Sequence, residues 1–334
     1  MSFESPQNIE RKILSILKVL SGLQKPAGSV IIAKHLKVHG VDLSERAVRY
    51  HLRLTDERGL TQLVRDRDGR VITTKGLREI ESALVKDKVG FAISRIEQLA
   101  FRTNFNYEKL SGGVPVNISF FRKEQFKKAC EIMVPIFKKG YCVSNLVSVV
   151  SEGQQIGDIL VPQGMVGLAT ACSIVTNGVL LKAGIPMDSR FGGILQIQND
   201  KPIRFTEIIH YDGSSLDPSE IFIKARMTAI KNATATGHGE ILANFREIPA
   251  ICQPVAQEVI AGLKKAGFNG VLIMGDVSDS VCEINVDLNK IGIILVGGLN
   301  PVAAAAEAGF ESENHRMSTI LEYSLLQDYK EVLK

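Results

Sequence analysis

Arg46, Arg49, Tyr50 and Arg53 stand at i, i+3, i+4 and i+7, the spacing that gathers side chains onto one stripe of an α-helix. Guanidinium groups aligned in this way pair with guanine edges or with phosphate, so the chemistry on offer is recognition of a polyanion rather than bond making. Three further arginines, Arg65, Arg67 and Arg70, surround Asp66-Arg67-Asp68-Gly69, and Asp-Gly between two apolar runs is a strong hairpin signal. A second set, Arg190, Arg226 and Arg246, lies in apolar or glycine-rich stretches, where an unpaired guanidinium is costly to bury. Each of these either pairs with a carboxylate such as Glu207 or Glu247 as structure or meets an anionic ligand.

The elements that must position the first set are legible nearby. Ser44 is a good N-cap, and Ala47, Val48, His51, Leu52 and Thr55 recur at helical spacing as the face turned to a core. Upstream, Ile9, Ile13, Ile16, Leu17 and Leu20 mark an amphipathic helix stopping at Gly22, and a second helix is expected from Ser29 to His39. Gln62 to Arg65 and Arg70 to Thr73 form the two strands of a wing. Helix, helix, helix, wing predicts a winged helix-turn-helix DNA-binding domain over residues 1–90. Arg46, Arg49, Tyr50 and Arg53 would enter the major groove, and Arg65, Arg67 and Arg70 would meet phosphate or the minor groove. An arginine stripe alone also fits a solvated helix face; the wing beside it favours DNA.

The 334 residues carry a formal charge of +4, distributed as +6 over residues 1–90 and −2 over the rest. A basic head on a nearly neutral body suits a nucleic-acid module joined to a unit with another task. Five cysteines without a Cys-x-x-Cys pair argue against a disulfide framework and a structural zinc site. No apolar run approaches the length of a membrane span, and the first residues lack a signal-peptide pattern, so the expectation is a cytoplasmic protein with no membrane association and no metal or cofactor.

After a connector over residues 91–110, with Phe101, Phe105 and Tyr107 as packing residues, the chain repeats itself at an offset of about 125 residues. Gly157 to Leu168 lies over Cys282 to Ile293, and Lys182-Ala183-Gly184-Ile185 over Glu307-Ala308-Gly309-Phe310. The expected fold class is a mixed α/β (α+β) body over residues 111–334 made of two similar halves, about 111–200 and 241–334, with 200–240 as a bridge. Both halves run a strand into a helix at the same place, through Thr170-Ala171-Cys172-Ser173 and through Gly297-Gly298-Leu299-Asn300-Pro301. Helix N-termini expose N–H groups and a partial positive charge, so two of them facing one cleft would hold a small dicarboxylate. The candidate ligand contacts are therefore Thr170, Cys172, Ser173, Arg190, Arg226, Arg246, Gly298 and Asn300.

Gly184-Ile185-Pro186, Ser189-Arg190-Phe191-Gly192-Gly193, the block from Thr236 to Pro249 and Gly297-Gly298-Leu299-Asn300-Pro301 resemble the archaeal nitrogen-regulatory repressor family, NrpR, in its winged-helix head and one copy of its regulatory domain. The resemblance implies a homodimeric repressor of nitrogen-assimilation genes on an inverted-repeat operator in double-stranded DNA. It also implies 2-oxoglutarate as the effector that releases that DNA, and leaves open whether a second regulatory-domain protein takes part. Two rivals stand beside it. One is a repressor sensing another small anion or a redox signal. The other is an enzyme with a duplicated α/β body and an autoregulatory DNA-binding head. Against the enzyme, His35, His39 and His51 lie in the head, and His210, His238 and His315 have no triad or ligand partner at a recognisable spacing. Cys172 reads as a small buried cysteine or as a low-pKa thiol.

Overall fold

Helical and strand periods set the head. The structure is a computed structural model that describes residues 6–23, 25–38, 41–65, 69–82, 90–157 and 159–333, and its contacts form two compact units, Met1–Val89 and Gly90–Lys334. In the first unit, helices α1 (Pro6–Gly22), α2 (Ser29–Val38) and α3 (Glu45–Glu57) precede strands β1 (Thr61–Arg65) and β2 (Gly69–Ile72) and helix α4 (Thr74–Ser82). Ile16, Leu20, Ile32, Leu36, Val48 and Leu52 form its core, with Ile13, Leu17 and Leu60 beneath the wing. One pairing escapes sequence reading: Ala27 and Arg70 exchange both backbone hydrogen bonds at 3.0 Å, giving the wing a third strand position. That pairing requires glycine at 69, where φ is +95° and a Cβ would lie 2.3 Å from the Ala27 carbonyl carbon.

The second unit begins with α5 (Phe91–Arg102), followed by β3 (Gly113–Arg122), α6 (Lys123–Lys139), β4 (Leu146–Ser151), β5 (Gln155–Ile156), β6 (Ile159–Leu160), β7 (Met165–Ala171), α7 (Ile174–Lys182), β8 (Asp188–Gln198) and β9 (Lys201–His210). Then come α8 (Pro218–Lys224), α9 (Ile230–Thr236), β10 (Gly239–Pro249), α10 (Gln253–Lys265), β11 (Val271–Val277), β12 (Lys290–Val296), α11 (Asn300–Glu307), β13 (Glu313–Glu322), β14 (Gln327–Asp328) and α12 (Tyr329–Val332). The long strands form two antiparallel five-stranded sheets, ordered β13-β3-β7-β4-β14 and β11-β12-β10-β8-β9.

The two sheets do not divide as the sequence repeat divides. β8, the last long strand of the first repeat, pairs with β10 of the second, and β13 of the second pairs with β3 of the first. Each half thus lends a strand to the other. The repeat survives in the register, because Asn117 stands opposite Thr170 on β3 and β7 just as Asn244 stands opposite Leu295 on β10 and β12. One continuous core results, as expected when each half alone would leave a sheet edge open. The 200–240 bridge is structured too, holding β9, α8 and α9.

In the connector, α5 packs Ala92, Ile96, Leu99 and Ala100 against Cys172, Ile174 and Tyr211. Phe105 is buried and stacks on Tyr323, while Phe101 is 71% exposed with Lys182 over its ring, so it does not pack as its aromatic character led us to expect. Among the described residues, no helix is long and apolar enough to cross a membrane.

Candidate nucleic-acid interface and effector site

Helix α3 is built as its spacing demands. Ser44 Oγ accepts from the Ala47 N–H at 3.2 Å, a cap that satisfies one orphan donor, and Val48, His51, Leu52 and Thr55 are buried. The opposite stripe presents Arg46, Arg49, Tyr50 and Arg53 to solvent. Among the described residues, Arg53 makes only an exposed contact with Glu57, 3.6 Å away, too weak to hold it from a ligand. Arg70 differs from these four. Its Nε donates to Asp56 Oδ2 at 2.6 Å, and the other Asp56 oxygen accepts from Thr61 Oγ1 at 2.6 Å, so Arg70 ties the wing to the end of α3. The side chain of Arg65 and all of Arg67 lie outside the described residues.

His51 is 2% exposed and its Nδ1 has no partner. Burial, and then the charge of Lys12, lower its pKa below 6.5. The unfolded chain therefore binds the proton more readily than the folded head. The stability this gives is fully present above about pH 6.5 and is lost as pH falls through the folded pKa. Thermal melting of the head transition should drop between pH 7.5 and pH 5.5, and His51→Leu should flatten that dependence; a head that gains stability on acidification would contradict this account.

In the body, the starts of α7 and α11 face the same small pocket. Cys172, Ser173 and Ile174 line it from one half and Gly298 and Leu299 from the other, with Asn117, Asn244, Arg246, Tyr211 and Asp217 around them. Ser173 and Leu299 are the N-cap residues, and Asn300 is the first helical residue of α11. The open volume is about 20 Å³, room for roughly one water molecule. Gly298 is what lets the walls meet, because a Cβ there would lie 2.4 Å from the Ala171 carbonyl oxygen and 2.8 Å from Asn117 Nδ2.

Arg246 dominates this pocket. It is 1% exposed, its guanidinium carbon lies 5.2 Å from the centre of the Tyr211 ring, and its Nε and Nη1 have no hydrogen-bond partner. Desolvation pulls its pKa down. The Tyr211 hydroxyl donates to Asn244 Oδ1, and Asn244 Nδ2 donates to Ser173 Oγ at 3.3 Å. Burial raises the Tyr211 pKa and pushes the Cys172 thiol up to about 11, so Cys172 is protonated at neutral pH and is not an activated nucleophile. The arrangement supplies unpaired donors and two helix N-termini, which is anion chemistry.

The remaining candidates are placed elsewhere. Thr170 is buried on β7 with its hydroxyl unpartnered, but it does not line the pocket. Asn300 Oδ1 accepts from Leu242 N at 2.8 Å and its Nδ2 donates to Leu242 O at 3.1 Å, pinning α11 to β10. Arg190 lies beside a separate cavity of about 600 Å³, with Asp287, Glu247 and Asp188 at 3.1, 3.3 and 3.5 Å from its Nη1. Desolvation lowers its pKa, but those three carboxylates outweigh it and hold it above the usual arginine value. Arg226 is exposed, with φ of +54° and Glu311 3.9 Å away. Asn117, Asn244, Tyr211 and Asp217 were missed. The two asparagines occupy matching positions of the repeat, a signal present in the sequence; Tyr211 and Asp217 lie in the bridge and carry no repeat signal.

The family model described as NrpR regulatory domains NRD1 and 2 matches residues 89–328. The chain belongs to the NrpR family. Its similarity to the global nitrogen regulator NrpRI of Methanosarcina mazei is 40% identity, covering 96% of this chain and 98% of that protein. The NrpR regulators of Methanococcus maripaludis and Methanocaldococcus jannaschii are 33% and 30% identical, and the chain spans 52% and 56% of their lengths. A solved structure of a nitrogen repressor-like protein from Methanococcus jannaschii is similar at a TM-score of 0.61 and 28% identity, covering 71% of this chain and 98% of that one. Over residues 14–80 the NrpR head matches the model of the ribonuclease R winged-helix domain, which agrees with its helix and wing order.

Proposed function

We propose that this NrpR chain is a nitrogen-regulatory transcriptional repressor that binds an inverted-repeat operator as a homodimer and is released by 2-oxoglutarate held in the pocket around Arg246. The observation that carries the effector reading is the buried guanidinium with two unpartnered nitrogens, Nε and Nη1, between two helix N-termini. A carboxylate would satisfy those donors, and the second carboxylate of a short diacid would reach a helix end. The pocket as it stands is smaller than such a ligand, so binding must open it, and the energy for that comes from differential affinity for the open state. Ile96 of α5 lines the pocket, so opening is felt by the first element of the body. The role is regulatory rather than catalytic, in keeping with relatives that are named regulators and with a protonated Cys172.

Operator binding measured at fixed salt, with 2-oxoglutarate and with glutamate as the matched control, tests the proposal. Release by the oxo acid alone is expected. A hundredfold loss of operator affinity corresponds to a coupling of about 2.7 kcal/mol. Tight binding that neither acid changes would remove 2-oxoglutarate from the reading and keep the DNA claim.

A further inference from the structure

β9 is a ten-residue strand at the edge of its sheet, and a long edge strand left open is a template for another chain. Two bulges interrupt its pairing with β8, passing over Thr206 and Ile203. In a regular strand, residues three apart point to opposite faces. Here Arg204 and Glu207 stand opposite Gln196 and Ile194, which are two apart on β8, so the bulge puts both charges on one face. Phe205 and Ile208, opposite Leu195 and Gly193, share the other face. Arg204 and Glu207 are exposed, and Ile203 and Ile208 are 38% and 42% exposed.

We infer that β9 is the edge through which the body joins a second copy of this chain, the two strands lying antiparallel about a twofold axis near Phe205 and Thr206. Such an axis sets Arg204 beside Glu207 of the partner subunit, and Glu207 beside Arg204 of the partner subunit. It also brings Ile203 towards Ile208 of the partner subunit. A parallel alignment in register would oppose like charges, which is destabilising. The twofold uses the same edge on both copies, so the contact closes as a dimer rather than growing into a filament. This names the surface of the dimer in the functional reading above and rests on it.

Sedimentation of the full chain over a micromolar range is the test. Glu207→Arg and Arg204→Glu should each raise the dimer dissociation constant at least tenfold. The double variant, Arg204→Glu with Glu207→Arg, should return it to near the parent value, because the swapped charges face each other again. Both residues are exposed, so the far-UV circular dichroism of each variant should match that of the parent, and a folding defect would be visible there. Single variants that dimerise like the parent, or a double variant that stays dissociated, overturn the β9 contact. If the parent still dimerises and binds the inverted repeat in that case, the functional reading stands; a parent that is monomeric and fails on the repeat sinks both.

Discussion

Arg246→Met should leave operator binding intact, reduce the response to 2-oxoglutarate about a hundredfold, about 2.7 kcal/mol of lost coupling, and not lower the melting temperature of the body. Loss of function without loss of stability follows from what surrounds the side chain. A buried donor without a partner costs about 1–3 kcal/mol, and two guanidinium nitrogens of Arg246, Nε and Nη1, are in that position while desolvation opposes the charge itself. Methionine fills similar space and removes the unpaired donors. An arginine held for structure would behave in the opposite way, with lower stability and an unchanged response. Arg190→Ala supplies the contrast. The buried Glu247 keeps Lys290 at 3.1 Å when Arg190 is gone, so the effector response should persist. Operator titration against 2-oxoglutarate and thermal melting, run on both variants, separate the two arginines; a full response in Arg246→Met would remove the pocket from the mechanism.

Sequence alone could not tell those arginines apart, and the reason is distance along the chain. Glu247 on β10 and Asp287 in the loop before β12 come from far along the chain to meet Arg190, whereas Arg246 meets Tyr211 from the bridge and two helix ends from opposite halves. The head was far more legible, because the Ser44 cap, the helical faces and the two strands of the wing are encoded within a few residues. Even there the Arg70 contact with Asp56 spans 14 positions and gives a residue read as a DNA contact a bracing role. The body's repeat predicted matched strand-to-helix junctions, and both junctions do face one pocket. It did not predict the exchange of β8 and β13 between sheets, since strand pairing across a hundred residues leaves no local pattern in either partner.

The brace and the stripe should separate on DNA. Arg49→Ala is expected to cost about 1–3 kcal/mol on the operator, roughly 5- to 150-fold in affinity, while changing binding to random duplex much less. Arg49 lies exposed on α3, so its removal touches nothing inside the head. Arg70→Ala acts by another route. It leaves Asp56 without its 2.6 Å partner where both side chains are about three-quarters covered, at 24% and 27% exposure, and loosens the wing against the helix it steadies. The expected result is a lower melting temperature of the head and weaker binding to operator and random DNA by similar factors. Equal losses on both DNAs for Arg49→Ala, at unchanged salt, would assign that arginine to phosphate, because a phosphate contact carries no sequence information of its own. Base reading would then fall to Arg46, Tyr50 and Arg53, the other members of the same exposed stripe.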